Sequence, residues 1–273
     1  MSARIGWRAV VRQAREIAGS YDTPVTLRQL FYRLVSVQVI PNTQCAYKRL
    51  SELTAQARRQ GTFPALIDRG RQVHEDLAFT SPVQALDWLA RIYRLDRTDG
   101  QDVSLYLGVE KAGMVVQLRS WFGDLGIPVL ALGGYSSQSY ADEVSRHALD
   151  RGRPAVLLYA GDFDPSGEDI DRDFGLRTSC WKQVIRVALS TEQVSIYGLP
   201  PNPGNATDSR AAGFIARHGE LVQVELDALD PADLRALYQD AIGRYWDMSA
   251  FNAILAREQH DIQRLRRPDE SRS

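Results

Sequence analysis

Residues 154–167 read Pro-Ala-Val-Leu-Leu-Tyr-Ala-Gly-Asp-Phe-Asp-Pro-Ser-Gly, an apolar run followed at once by two acids and a turn. A short apolar run bounded by turn residues is typical of a strand that is buried on both faces. Alternate residues of an extended chain point to the same side, so Asp162 and Asp164 project together while Phe163 points into the core. Two carboxylates so close are unfavourable unless a cation neutralises them. Gly167 then allows the next helix to begin close to this loop.

Apolar runs of the same kind recur along the chain from residue 103, with helical patterns between them. The predicted strands are 103–109, 127–132, 154–160 and 184–189, and the predicted helices are 112–125, 136–150 and one from 168 onward. Strands that alternate with helices predict an α/β fold with a parallel sheet covered on both faces. Sites in such sheets form outside the carboxyl ends of the strands. Glu110 follows the first strand as Asp162 and Asp164 follow the third, so the three acids are expected to converge.

The composition limits the kinds of site that this chain can build. Its two cysteines, Cys45 and Cys180, and its four histidines do not have the spacing of a zinc site or of a disulfide framework. Ligands that are all oxygen suit Mg²⁺, or Mn²⁺ in its place. No long apolar run and no signal peptide are visible, so we expect no membrane partner and a location in the reducing cytoplasm.

The N-terminal part of the chain shows the pattern of a winged helix-turn-helix domain (CAP-like). Helices are predicted over 5–18, 26–37, 43–60 and 82–95. Thr26 and Thr43 stand as N-cap residues of the second and third helices. Two helices joined by a short turn are typical of a helix-turn-helix, and residues 63–71 would form the wing. The residues predicted to contact DNA are Lys48, Arg49, Arg58, Arg59, Arg69 and Arg71.

Charge is divided unevenly between the two halves of the chain. Residues 1–97 hold 15 Lys and Arg against 8 Asp and Glu, whereas residues 98–273 hold 18 against 26. This asymmetry suggests that residues 1–97 bind phosphate and that residues 98–273 bind metal. The alternative is that the uneven distribution of charge arose by chance. Three domains are predicted: the winged helix over 1–97, the metal-binding α/β domain over 98–200, and an extension over 201–273 that completes the α/β domain. The extension is predicted to contain a strand near 222–226 and helices over 231–245 and 249–264.

Two motifs of the second half together resemble the Toprim domain of topoisomerases, primases and related nucleases. They are Val109-Glu110-Lys111 after the first strand and the stretch from Gly161 to Gly167 after the third. The resemblance implies that the second domain is a Toprim domain with a Rossmann-like parallel sheet. It also implies that Asp162 and Asp164 hold Mg²⁺, and that Glu110 is either a further ligand or a general acid/base.

A closer resemblance is to the A subunit of topoisomerase VI, a type IIB topoisomerase, and to its meiotic double-strand-break relative. Those proteins place a winged helix before a Toprim domain and carry a catalytic tyrosine in a stretch similar to Arg-x-x-Tyr-Tyr, where this chain has Arg28-Gln29-Leu30-Phe31-Tyr32. The resemblance covers roughly residues 20–190. It implies that Tyr32 is the nucleophile of a Mg²⁺-dependent cleavage that makes double-strand breaks in DNA. Gly134-Tyr135 also matches part of a Gly-Tyr-Pro-Asp loop of that family, although Ser136-Ser137 replaces Pro-Asp.

The same resemblance implies partners for the chain. In that family the tyrosine of one protomer meets the metal site of the other, so a homodimer on double-stranded DNA is expected. Strand passage would need a separate ATPase subunit, because this sequence has no Walker-type motif. Arg28 precedes Tyr32 by one helical turn and faces the same side, so its guanidinium could stabilise the phenolate or the pentavalent phosphate.

Two other interpretations of these residues stay open. In a hydrolytic Toprim nuclease, water is the nucleophile and Tyr32 is an ordinary packing residue. If a tyrosine is the nucleophile, Tyr47 on the next helix is a poorer candidate than Tyr32. In a DNA-binding module, the metal site is vestigial and binding depends on salt without any cleavage. Lys111 could touch DNA, although the alternation of a strand would point its side chain away from that of Glu110.

Overall fold

The computed structural model describes residues 5–21, 24–67, 76–134, 136–203 and 208–266, with the exception of the Pro203 side chain. The tip of the predicted wing, with Arg69 and Arg71, lies outside these residues, and so does Tyr135. None of the helices in the described ranges is both long and apolar enough to cross a membrane.

Four helices precede the sheet. They are α1 (Trp7–Gly19), α2 (Leu27–Ser36), α3 (Gln44–Arg59) and α4 (Pro82–Ile92). The first three share a core in which Leu30, Leu34 and Leu50 are fully buried. Thr26 and Thr43 cap α2 and α3 as predicted, since each side chain accepts a hydrogen bond from the main-chain N–H three residues on. Helices α2 and α3 therefore begin where the N-cap residues predict, whereas α1 begins at Trp7, two residues after its predicted start.

The second half of the chain contains a four-stranded, all-parallel sheet in the order β2-β1-β3-β4. Its strands are β1 (Ser104–Val109), β2 (Val129–Ala131), β3 (Ala155–Ala160) and β4 (Trp181–Ala188). Helix α5 (Val115–Phe122) covers one face, where Leu107 packs, and helices α6 (Gln138–Asp150) and α7 (Gly167–Thr178) cover the other, where Tyr106 packs. The structure confirms the predicted α/β fold with a parallel sheet covered on both faces.

The chain beyond β4 forms a series of short elements and two longer helices. They are α8 (Thr191–Ile196), β5 (Asn202–Pro203), α9 (Ala211–His218), β6 (Val222–Gln223), α10 (Pro231–Gly243) and α11 (Met248–Arg266). Asp230 caps α10 as predicted, because its carboxylate accepts a 2.9 Å hydrogen bond from the Ala232 N–H. Strand β6 is shorter than the predicted strand over 222–226, since the chain enters a 3₁₀ turn at Leu226–Ala228.

Two other elements differ in extent from the predicted ones. Strand β4 begins at Trp181, three residues before the predicted start, and lies at the edge of the sheet. Lys182 and Gln183 are exposed there, so the first part of the strand has no apolar run to reveal it. The predicted helix over 112–125 is α-helical only in α5, with 3₁₀ turns at Ala112–Met114 and Gly123–Leu125 on either side.

Helix α4 ends at Ile92, three residues before its predicted end, and is held by the C-terminal helix. Tyr93 leaves the helical conformation at ψ 126°, and α11 packs against α4. The buried Glu258 carboxylate of α11 accepts a 3.0 Å hydrogen bond from the Leu95 N–H and a 2.6 Å hydrogen bond from the Arg97 guanidinium. The C-terminal helix thus fixes the segment that leads into β1.

Candidate functional site

A cleft of about 530 Å³ opens between the N-terminal end of α2 and the carboxyl ends of β1 and β3. We call it the acidic cleft, because five carboxylates and two cationic side chains line it. The carboxylates are those of Glu110, Asp162, Asp164, Glu225 and Asp227, and the cations are those of Arg28 and Lys111. The three acids that the sequence places after β1 and β3 are therefore brought together at one edge of the sheet.

Main-chain N–H groups orient the three predicted acids. Glu110 Oε2 accepts a 2.8 Å hydrogen bond from the Asp162 N–H, and Asp162 Oδ1 accepts one of 2.7 Å from the Leu226 N–H. Asp164 Oδ1 accepts a 2.6 Å hydrogen bond from the Gly167 N–H. Among the described residues, no hydrogen-bond donor or cation contacts the second oxygen of any of the three. Each carboxylate is thus held at one oxygen and presents the other.

The loop from Asp162 to Gly167 is folded too tightly to accept a larger residue at its end. A Cβ on Gly167 would collide with the Asp162 carbonyl and approach Asp164 Oδ1 to 3.2 Å. The Arg186 guanidinium of β4 donates a 2.6 Å hydrogen bond to the Asp162 carbonyl and one of 3.1 Å to the Gly167 carbonyl. Gly167 and Arg186 together set the position of both aspartates. Phe163 is buried between them, as predicted.

Lys111 extends into the acidic cleft and contacts three carboxylates. Its Nζ lies 3.2 Å from Asp162 Oδ1 and 3.2 Å from Asp227 Oδ2, and it also donates a hydrogen bond to Glu225. The prediction that Lys111 points away from Glu110 is wrong, because β1 ends at Val109 and the strand alternation does not continue beyond it. Both side chains line the same cleft.

Burial and charge shift the protonation equilibria of the cleft. Burial raises the pKa of Asp162 well above its ordinary value, and the neighbouring Glu110 adds to this shift while Lys111 opposes it. Burial likewise raises the pKa of Glu110, with Asp164 contributing in the same direction. The pKa of Lys111 is raised although burial works against its charge, because Asp227, Asp162 and Glu225 outweigh the burial. The lysine is therefore firmly protonated among the carboxylates.

Tyr32 lies beside the acidic cleft, between two cations. Its ring centre is 5.4 Å from Lys111 Nζ and 5.5 Å from the Arg28 guanidinium carbon, and the ring packs edge-on against Phe31 with 5.5 Å between centres. The ring also borders a second cleft of about 490 Å³, which shares Glu225 with the acidic cleft. Within the described part of the chain, no side chain or main-chain group forms a hydrogen bond with its hydroxyl. The tyrosine is half-buried, with its phenol oxygen available to a ligand.

Helix α2 is fixed to the rest of the molecule by polar contacts on either side of Tyr32. The Arg33 guanidinium donates 2.7 Å hydrogen bonds to the Ala228 carbonyl and to Asp230 Oδ2. The buried Gln29 amide donates a 3.4 Å hydrogen bond to Gln117 of α5. These contacts determine the distance between the tyrosine and the carboxylates.

The four predicted DNA contacts that the structure describes all lie on α3 and are exposed. They are Lys48, Arg49, Arg58 and Arg59. Arg49 forms a 2.9 Å ion pair with Glu52 on the same helix. Within the described residues, α3 contributes nothing to the lining of the acidic cleft, so its cations form a separate surface.

The donor set of the acidic cleft fits a hard divalent cation, because all of its ligand atoms are oxygens. In the described ranges, no three Asp, Glu, His or Cys side chains stand close enough to ligate one ion as they are. The Lys111 ammonium lies among three of the carboxylates and supplies positive charge there. Ligation of an ion would therefore require these side chains to move.

Glu225 and Asp227 are site residues that the sequence analysis missed. They follow the short strand β6, and Leu226 between them is fully buried. The signal was present in the sequence, because Glu225-x-Asp227 has the same spacing as Asp162-x-Asp164. It was overlooked because the segment before it is too short to be recognised as a buried strand.

The sequence matches no protein-family model, and no curated protein is significantly similar to it. Function therefore has to be derived from the chemistry of the site. The features to be explained are a tyrosine between two cations, a cluster of carboxylates beside it, and a basic surface on α3.

Proposed function

We propose that this chain cleaves DNA, with the Tyr32 hydroxyl attacking a backbone phosphate at the acidic cleft. The observation that carries the proposal is the position of Lys111, whose ammonium contacts Asp162 and also lies 5.4 Å from the centre of the Tyr32 ring. One side chain thus links the tyrosine to the carboxylates. A phosphate bound to this ammonium would lie next to both groups.

The proposed reaction exchanges one phosphate ester for another. A bond forms between the phenol oxygen and phosphorus, the bond from phosphorus to one deoxyribose oxygen breaks, and that leaving oxygen ends with the proton lost by the phenol. The DNA end stays attached to the protein as a phosphotyrosine. Arg28 and Lys111 flank the ring and would offset the negative charge that develops on the phenol and phosphate oxygens.

Glu110, Asp162 and Asp164 are the residues that would hold Mg²⁺, or Mn²⁺ in its place. Each has one carboxylate oxygen oriented by a main-chain N–H, which leaves the other for the ion. When bound, the ion would supply positive charge beside the phosphate oxygens and the leaving oxygen.

Double-stranded DNA is the proposed substrate because α3 presents four exposed cations. Contacts from such side chains to phosphates give affinity without reading the sequence. A homodimer would place one acidic cleft at each of the two DNA strands. Strand passage would need a separate ATPase subunit. The resemblance implies that the tyrosine works with the partner's carboxylates, but Tyr32 adjoins those of its own chain, so we propose that both act within one chain.

Two alternatives each have one observation in their favour. A hydrolytic nuclease is favoured by Glu110, because a half-buried carboxylate with a raised pKa suits proton abstraction from water. Tyr32 would then serve only to pack against Phe31. A DNA-binding module without cleavage is favoured by Lys111, whose ammonium already neutralises part of the carboxylate cluster.

The proposal is tested by incubating the protein with supercoiled plasmid in Mg²⁺ or Mn²⁺ and stopping the reaction with detergent, with and without protease. We expect linear DNA that carries protein. Tyr32→Phe and Asp162→Ala should abolish this product, whereas Tyr47→Phe should retain it, since Tyr47 makes a comparable edge contact with Phe31. Cleavage that survives Tyr32→Phe but not Asp162→Ala would support hydrolysis. Salt-dependent binding with no cleavage would support the binding module.

A further inference from the structure

We propose that Lys111 is an internal countercation of the acidic cleft, and that it competes with a divalent ion for Asp162, Glu225 and Asp227. These three carboxylates would bind the ion once the ammonium has left them for a DNA phosphate. The inference rests on the proposed function only in taking DNA as the source of that phosphate. It adds Glu225 and Asp227 to the residues that bind a metal.

The contacts of Lys111 show why it can take the place of an ion. Oxygens of three carboxylates, from the loop after β3 and the segment after β6, converge on one nitrogen, two of them at 3.2 Å. Asp162 and Asp227 have side chains only 8% and 6% exposed, so their charges are largely removed from water. Buried carboxylates that face each other are strongly unfavourable without a cation between them. The ammonium is that cation in this structure.

The same geometry would allow a divalent ion to replace the Lys111 ammonium. Mg²⁺ binds oxygens at about 2.0–2.1 Å, so each carboxylate would have to approach the centre by about 1 Å after the ammonium leaves. Lys111 has a flexible four-carbon stem, and its ammonium already lies 5.4 Å from the centre of the Tyr32 ring while it contacts the carboxylates, so a short movement toward the ring would release them. A phosphate bound beside Tyr32 would stabilise it there.

Competition of this kind couples the binding of metal to the binding of DNA. The free protein would bind a divalent ion only weakly at Asp162, Glu225 and Asp227, because Lys111 has to be displaced from them first. A phosphate that draws the ammonium away would strengthen metal binding, and by reciprocity the metal would strengthen DNA binding by the same factor. The chain would thereby avoid assembling a complete metal site until DNA is in place.

Binding of Mn²⁺ alone to the full chain, followed by electron paramagnetic resonance of the free ion, tests the competition. We expect Lys111→Met to bind Mn²⁺ about tenfold or more tightly than the wild type, the size of a typical coupling between two sites. Lys182→Met removes an exposed lysine of β4 and should leave the affinity unchanged. Adding Glu225→Gln and Asp227→Asn to Lys111→Met should abolish the gain. The inference is overturned if Lys111→Met binds no more tightly, or if the gain persists in the triple variant.

A second measurement does not depend on whether Lys111→Met folds. In the Tyr32→Phe protein, which cannot form the phosphotyrosine, a short DNA duplex should raise the Mn²⁺ affinity by about the same factor. An unchanged affinity in the presence of bound duplex would overturn the inference. Neither measurement uses cleavage, so a failure of the competition leaves the tyrosine reaction standing, and a failure of plasmid cleavage leaves the competition standing.

Discussion

Arg33 and Asp230 form a 2.7 Å ion pair that joins the helix carrying Tyr32 to the segment carrying Asp227. The same guanidinium donates a 2.7 Å hydrogen bond to the Ala228 carbonyl. Because Arg33 directly follows Tyr32, these contacts fix the position of the tyrosine relative to the acidic cleft.

Removing the contacts of Arg33 with Asp230 and Ala228 should lower both the stability of the fold and the rate of DNA cleavage. We expect Arg33→Met to lower the free energy of unfolding by about 1–3 kcal/mol, because a buried carbonyl loses a charged donor. Asp230→Asn keeps the helix cap and removes only a half-exposed charge, so it should cost less than about 1 kcal/mol. Urea denaturation measures both values. Equal costs for the two variants would show that the Ala228 contact contributes nothing.

Gly167 should not tolerate even one added methyl group. We expect Gly167→Ala to lower the free energy of unfolding by about 1–3 kcal/mol and to reduce cleavage, because its Cβ would collide with the Asp162 carbonyl. Gly243→Ala is the matched control, since that helical glycine has nothing within 4 Å of an added Cβ. It should not lower the stability, because alanine has the higher helix propensity and Gly243 is the last residue of α10. The prediction fails if Gly167→Ala is as stable and as active as the wild type.

The exposed cations of α3 should contribute to the salt dependence of DNA binding. We expect Arg58→Gln and Arg59→Gln each to reduce the slope of log affinity against log salt by about 0.9, the value for one phosphate contact. Arg244→Gln removes another exposed arginine, at the C-cap of α10, and should leave the slope unchanged. Fluorescence anisotropy with one duplex at several salt concentrations measures these slopes. Unchanged slopes in both α3 variants would exclude this helix from the DNA contact.

Glu110 should make the protein less stable as pH rises. Its pKa in the folded state lies above the ordinary value of 4.5 because of burial, so the folded state holds a proton that the unfolded state has released. Stability therefore falls as pH increases from about 4.5 through the raised value, and stays low above it. Glu110→Gln should be more stable than the wild type at pH 7, with the difference vanishing near pH 4.

Thermal unfolding across this pH range measures the effect of Glu110. Glu220→Gln makes the same chemical change at an exposed position and should leave stability near that of the wild type. A Glu110→Gln protein that is less stable than the wild type at pH 7 would contradict the prediction.

Local signals in the sequence predicted most helices and buried strands correctly. Thr26, Thr43 and Asp230 each cap a helix through a contact that spans only two or three residues, so the neighbouring sequence contains all the information. Strands β1 and β3 are buried along their whole length and appear as continuous apolar runs. The convergence of Glu110, Asp162 and Asp164 followed from the topology of a parallel sheet.

The remaining features depend on contacts between distant parts of the chain. Lys111 and Glu225 are 114 residues apart, and no pattern near either one indicates that they meet. The position of Tyr32 beside Lys111 likewise depends on how α2 packs against the sheet. The start of β4 was missed for a different reason, since an exposed edge strand has no apolar run.

The most direct test of the central claim is to locate the DNA attachment within the protein. After cleavage in Mg²⁺, the adduct is trimmed with nuclease, digested with trypsin and analysed by mass spectrometry. The peptide Gln29–Arg33 reads Gln-Leu-Phe-Tyr-Arg and contains Tyr32 as its only hydroxyl-bearing residue. We expect a nucleotide mass on this peptide and its absence from the Asp162→Ala protein. A nucleotide on any other peptide, or DNA ends released without protein, would contradict the assignment of Tyr32 as the nucleophile.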